Sequence, residues 1–355
     1  MKRRSFLVHC AAGGAALALG GAGCRRRLGR AELLPALAND IGREDVLELV
    51  DASGRLESAL GRFETEPSPA TLRTARERWR TALLVWKRAQ CFRFGPVVET
   101  NALLRTTYWP TRPALIEDAL SASADIDDRF VNDLGVDGRG LFALEYLLFP
   151  LDEGERETLA RYSGDAARRH RRLITALGRN VGSYARTANE AFADRTRFSR
   201  SFADNAMENF NVLVGELIAL LESLAVERLQ MPLELAASGM LAPSTVEGWP
   251  SGSSQEIALT LLLGCERVFR GGESGGLLDL TRSTAPRIAE RVEERFTNAV
   301  AKLRAVGMPL ERAARENRTA LGAAASAAKA LEIALKVDLV SALGVTLTFA
   351  ATDGD

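Results

Sequence analysis

Residues 68–89 read SPATLRTARERWRTALLVWKRA, and their spacing decides the fold class. Leu72, Ala75, Trp79, Leu83 and Trp86 recur every three or four positions. That spacing lays one apolar stripe along a helix and makes both tryptophans core residues. Ser68 is a residue type that caps helix starts. Pro69 suits a first helical turn, where its missing N–H would have had no partner. Upstream, Val46, Leu49, Leu56, Leu60 and Phe63 repeat the pattern and predict an antiparallel partner joined through residues 64–67. Downstream, Phe210, Val214, Leu217, Leu221 and Leu224 mark another long helix that stops near Pro232. Residues 253–269 predict a further one, and residues 282–306 and 309–343 a final pair separated by Gly307. Strand-like alternation is scarce. Roughly eight to ten helices with short connections predict an all-α protein built of helical bundles.

The breaks between helices are as informative. Phe94-Gly95-Pro96 ends the helix that bears the tryptophans. Trp109-Pro110-Thr111-Arg112-Pro113 cannot be helix interior, because each proline removes a backbone donor and crowds the preceding residue. Residues 242–252 and 271–276 are rich in Gly, Ser or Pro and read as loops. A division of the chain falls near residues 190–240.

Composition limits the function. Hydrophobic residues make up 46% and charged residues 26%, which suffices for a packed core. The 46 basic groups balance the 46 acidic ones, so the dense basic face needed for nucleic acid is not there, and none is expected as a partner. His9 and His170 are the only histidines, which removes most chemistry built on several imidazoles, ordinary zinc sites included. His170 lies in Arg168-Arg169-His170-Arg171-Arg172, which reads as a solvated helix face. Cys91 and Cys265 either pair in an oxidising compartment or stay as two buried thiols.

Residues 1–24 have the chemistry of an export signal: Lys2, Arg3 and Arg4, then an uncharged run rich in Ala, Gly and Leu. Arg3-Arg4-Ser5-Phe6-Leu7 resembles a twin-arginine signal. The run ends in Gly21-Ala22-Gly23-Cys24, similar to the site where bacterial lipoproteins are cut and acylated, with Gly21 where Leu is usual. Lipidation of Cys24, and through it a membrane partner, is the expectation. Simple cleavage and an uncleaved anchor are the alternatives. Arg25-Arg26-Arg27 on the would-be outer side disfavours a retained span. No later stretch is expected to approach the ~20 apolar residues of a membrane helix.

Five segments, in order, resemble the imelysin-like family of bacterial exported proteins. Phe92-Arg93-Phe94-Gly95-Pro96 is similar to its first block, and Arg105-Thr106-Thr107-Tyr108-Trp109-Pro110 to its block of Arg and Trp-Pro. Gly140-Leu141-Phe142-Ala143-Leu144-Glu145 resembles the hallmark Gly-x-His-x-x-Glu. Residues 246–254 resemble a Glu-containing, Ser-rich loop, and residues 343–355 the C-terminal end. The resemblance covers about residues 35–355. It implies two packed helical bundles, taken as residues 30–190 and 191–355, with a site near their interface. It also implies a periplasmic or outer-membrane setting and protein partners there. The family was first classed as metallopeptidases, and other members are associated with iron uptake. One departure is plain: Phe142 stands where the family has its histidine, so a metal site of that type would lose its imidazole.

Glu145 is the only charge in residues 140–149, a segment apolar on nearly every side and therefore buried. A buried carboxylate has to be paired, hydrogen-bonded or protonated. Arg105 or Arg93 would be its partner in a structural reading, as an internal ion pair that sets how the bundles dock. In a functional reading Glu145 binds a cation or a polar group. Phe142 shares its helix face and belongs to the candidate pocket. Glu99 and Asn101 follow the Phe-Gly-Pro turn and either face that pocket or serve the loop. Ser251 and Ser254 bind an anion or cap the following helix. Asp353 and Asp355 supply oxygen ligands for a hard cation, or form an acidic tail. Gly272-Glu273-Ser274-Gly275-Gly276 fits G-x-S-x-G, but a helix precedes it and no histidine follows. No H-E-x-x-H occurs.

The functional expectation is a non-enzymatic periplasmic binding or accessory lipoprotein, serving iron or other metal acquisition, with a metal cation as its conceivable cofactor. A metallopeptidase and an interaction protein with a decayed metal site are the alternatives.

Overall fold

Ser68 caps its helix as its residue type suggests: its hydroxyl accepts from the Thr71 amide, and Pro69 occupies the first turn. In the computed structural model, residues 29–151, 153–165, 167–194, 198, 202, 204 and 206–347 are described. The leader with Cys24, and Asp353 and Asp355, lie outside them. The helices that frame the site are α1 (Arg30–Leu37), α2 (Arg43–Thr65), α3 (Pro69–Ala89), α4 (Gly140–Leu148), α5 (Arg168–Ala193), α6 (Ala206–Ser223), α7 (Ser254–Arg270), α8 (Pro286–Val306) and α9 (Arg318–Ile333); further short helices, among them Pro113–Ser121 and Leu277–Thr284, bring the number above the eight to ten expected. Among the described residues no strand forms, and a single bridge joins Gly272 to Gly275. The protein is all-α.

The first half packs α2 against α3 and α5, with α4 wedged between α3 and α5. The second packs α8 against α9, and α9 against α6 and the segment Leu224–Gln230. Helix contacts between the halves include α3 on α7 and α1 on α6. Trp79, Trp86, Leu72 and Leu83 are fully buried, which fulfils the stripe. Cys91 and Cys265 are buried and free; the Cys91 thiol donates to the Leu261 carbonyl at 3.3 Å, on the turn of α7 before Cys265.

Five expectations need correction. The helix over residues 282–306 is two helices, Leu277–Thr284 and α8, because Ala285 precedes Pro286 and is driven out of the helical region (φ −146°, ψ 72°). The helix over residues 309–343 breaks at Asn317 (φ −140°, ψ 51°), and Gly307 (φ +68°) closes α8 as expected. Pro232 does not stop α6. The chain stays helical to Ala237, with Pro232 just after the wider π-helical turns of Leu224–Gln230, at the start of Met231–Ala237. As a result Ala206–Ala237 is long and apolar enough to cross a membrane, contrary to the reading of the body; half of its apolar window is buried in the core, through residues such as Phe210, Leu217 and Leu221. Finally, residues 168–172 are not simply solvated. Arg169 donates to the Ala119 and Ala124 carbonyls, Arg171 to Tyr162 and Gly164, and His170 packs edge-on to Tyr162.

Candidate functional site at the junction of the two halves

The position of α4 is fixed from three sides. Gly140 opens it at φ +78°, and a Cβ there would stand 2.6 Å from the Thr106 carbonyl oxygen. The glycine of the hallmark segment is therefore a steric requirement, set by the helix Ala102–Thr107 that runs past it. Trp79 donates its indole N–H to the Leu141 carbonyl at 2.7 Å. Arg76 donates to the Leu148 carbonyl at 2.8 Å and lays its guanidinium over Phe149, which satisfies the helix's last turn. Both donors come from α3, so the tryptophan helix aims Phe142 and Glu145.

Glu145 is buried and points to the loop over residues 247–254. Its Oε1 accepts from the Ser251 hydroxyl and, at 3.3 Å, from the Ser251 amide. Arg80 holds that loop by donating to the Ser251 carbonyl at 2.9 Å. Gly248, at φ +78°, makes the turn beneath Ile257. Burial pushes the Glu145 carboxyl up to about 7; the bonds from Ser251 oppose this, and the charges of Glu247 and Glu311 add to it. Glu311, from the helix Leu310–Glu316, accepts from the Ser254 hydroxyl, and burial raises its carboxyl too. Neither predicted arginine reaches Glu145. Arg105 donates to the Tyr184 hydroxyl at 3.2 Å on α5, and Arg93 pairs with Glu216 at 3.5 Å. Each is drawn to a partner on its own outward side, so Glu145 is accommodated by hydroxyl and amide donors instead.

The ion pair of the site is elsewhere. Lys87 of α3 is only 1% exposed, and its ammonium donates to Glu247 Oε1. Arg228, in the segment Leu224–Gln230, donates to Glu247 Oε2 at 2.8 Å. Burial alone would raise the Glu247 carboxyl; the charges of Arg228 and Lys87, with their hydrogen bonds, hold it down at about 2. Burial pulls the Lys87 ammonium down, and Glu247 opposes that. Lys87 Nζ also lies 5.1 Å from the centroid of Phe142. Two cavities of about 200 and 220 Å³ flank this group, and both are lined by Trp109, Arg228 and Glu247. The first extends along Thr245, Val246, Ser254 and Leu310, and the second along Gln90, Arg93 and Thr107.

Of the residues singled out from sequence, Phe142, Glu145, Ser251 and Ser254 meet here. Ser251 and Ser254 do not cap α7: Ser253 holds the cap position, its hydroxyl accepting from Ser251 and not from the helix, and the other two hydroxyls go to carboxylates. Glu99 and Asn101 are exposed and line neither cavity; Asn101 sits in the left-handed region before Ala102–Thr107. Arg105 faces α5. Lys87, Arg228 and Glu311 were not singled out, and Glu247 only as the glutamate of the loop over residues 246–254. Lys87 did carry a signal: it falls four residues after Leu83 on the apolar stripe, in a chain with only five lysines among its 46 basic residues.

The donor set does not fit the metal centre that the hallmark implies. Where the imidazole would stand there is a hydrocarbon ring, with an ammonium over its face. Both oxygens of Glu247 are taken by cations, and among the described residues no three His, Cys, Asp or Glu side chains converge to hold an ion. The G-x-S-x-G loop is structural: the Ser274 amide donates to Asp40 at 2.7 Å.

The sequence profile described as imelysin, a peptidase family by its label, matches residues 47–337. Iron-regulated protein A of Synechococcus elongatus is 25% identical over 270 residues, which cover 72% of this chain and 70% of that one. The crystal structure of an iron-regulated protein A precursor from Parabacteroides distasonis superposes with a TM-score of 0.73 at 16% identity, over 90% of this chain and 97% of that one. An imelysin-like protein from Psychrobacter arcticum gives a TM-score of 0.71 at 17% identity, over 89% and 96%. At such identities the two structures speak for the shared fold alone.

Proposed function

The chain belongs to the imelysin family, and from that premise we propose that it is an exported, non-enzymatic binding or accessory protein in iron or other metal acquisition. The observation that carries the reading is the pair of cavities around Trp109, Arg228 and Glu247, next to the hallmark helix and lined from both halves of the chain. A half-enclosed cavity of mixed apolar and polar lining, with an aromatic wall and a few charged groups, is the form of a small-solute site. Its charged groups satisfy one another, so a ligand would be met by a preformed surface. The leader and Cys24 support a periplasmic protein tethered to the membrane by lipid. A peptidase role has little support: Phe142 and the missing imidazoles remove the means of activating water on a metal.

The test is a thermal-shift and tryptophan-emission screen of the full chain in detergent. Ferric, ferrous, zinc and copper ions are each offered as their citrate complexes, whose negative charge the Arg228 side of the cavities can meet. A saturable rise in Tm that Trp109→Ala and Arg228→Ala both abolish is the expected result. No response to any of these solutes overturns the reading.

A further inference from the structure

We propose that the Lys87 ammonium is the resident cation of this site: it holds the place a metal ion would need beside the hallmark helix, with Glu247 as its counter-ion and the face of Phe142 as its support. The inference rests on the placement of the site given above and goes beyond it by naming what fills the centre.

Three observations on different elements converge. Lys87 Nζ is 5.1 Å from the Phe142 ring centroid, inside the range where a cation is attracted to the negative face of an aromatic ring. Phe142 lies one turn before Glu145 on α4, at the hallmark position of the imidazole. The substitution and the buried lysine are thus two sides of one contact. An imidazole would offer a lone pair to a metal, whereas a phenyl ring offers only its face, and to a cation already present. The ammonium has three donors and no acceptor. It cannot act as a ligand, and its charge repels an incoming ion. It donates to Glu247 Oε1 and has Gln90 Oε1 at 3.5 Å.

The choice of lysine is itself informative. The basic residues of this chain are nearly all arginine, and Lys87 is its one buried lysine among the described residues. An ammonium concentrates its whole charge on one atom, which here faces both Glu247 Oε1 and the Phe142 ring. Arg228, which reaches the other oxygen of Glu247, comes in from the cavity side and is less deeply buried. Glu145, with its carboxyl raised by burial, adds little negative charge below neutral pH, so Lys87, Arg228 and Glu247 leave no deficit that an added cation would fill.

The experiment uses the full chain and cobalt(II) alone as the probe, read by visible absorption and calorimetry, with folding checked by circular dichroism. Wild type and Phe142→His are expected to bind cobalt no tighter than millimolar, because the ammonium remains. Phe142→His combined with Lys87→Met frees Glu247 Oε1, with Arg228 still on Oε2, and supplies the imidazole beside Glu145. It is expected to bind roughly 100-fold tighter, the scale on which neighbours of a metal site are felt. If Phe142→His alone binds as tightly as the double variant, or if the folded double variant gains nothing, the proposal fails. Should the double variant not fold, Phe142→Leu decides. Leucine keeps the apolar bulk and removes the ring face, so it should lower Tm in wild type and far less in the Lys87→Met background. Equal losses in both backgrounds overturn the proposal. A failed solute screen would remove the pocket reading and leave these outcomes untouched, and the reverse also holds.

Discussion

Two glutamates at the junction face opposite electrostatic conditions. Glu247 lies between Lys87 and Arg228 and is held at about 2; Glu145, on the neighbouring wall, meets the Ser251 hydroxyl and amide and is pushed up to about 7. Both are buried. Depth therefore does not decide the charge of a carboxylate here. The partners do: a cation repays the cost of desolvation, and a neutral donor repays only part of it.

The sharpest way to break the comparison is to remove the cation. Lys87→Ala takes one of two cations from the buried Glu247 carboxylate, where water cannot replace it, and is expected to cost about 3 kcal/mol, the low end for breaking a buried pair because Arg228 remains. Urea unfolding at pH 7 measures it. A loss under ~1 kcal/mol, the range of a surface pair, would show that Glu247 is not sealed from water.

The second prediction sets the two carboxylates against each other through pH. The Glu145 carboxyl is raised in the folded state, so its contribution is fully present below its unfolded value. It is lost as pH climbs through about 7. Glu311, also raised by burial, acts in the same direction. Glu247 runs the other way: its contribution is present above the ordinary glutamate range and lost as pH falls toward about 2. Glu145→Gln should therefore flatten the decline in wild-type stability between pH 5 and 8, removing about 2–3 kcal/mol of it. Parallel stability curves for the variant and wild type would show that Glu145 ionises freely.

The smallest effect belongs to the residue next to Lys87. Arg88 turns to the other side of α3, where it donates to Asp45 at 3.0 Å and pairs with Glu48. Asp45 also has Arg267, and the Arg88 side chain is 27% exposed. Arg88→Ala is expected to cost about 1 kcal/mol in the same unfolding assay, because Asp45 keeps a partner and water can reach the gap. A loss equal to that of Lys87→Ala would erase the distinction between the two networks.

How far the site could be read in advance follows from the same residues. Glu145 was identifiable because a lone charge in the apolar run 140–149 has to be compensated, and Phe142 because it departs from the hallmark. The partners were not. Arginine was expected on grounds of charge, and the fold supplied a serine. Lys87 carries only its place on the apolar stripe as a signal, and its counter-ion, Glu247, lies 160 residues away.

What the sequence determined by itself is local. Periodicity, the Ser68 cap and the position of prolines set the helices, because helical neighbours are three or four residues apart and hydrogen bonds close within one turn. The tertiary structure alone decided the site. Lys87 meets Glu247 across 160 residues, Glu145 meets Ser251 across 106, and Ser254 meets Glu311 across 57. Such pairs are chosen by how α3, α4 and the loop before α7 dock, and docking depends on the shape of whole buried faces, which spacing along the chain does not encode.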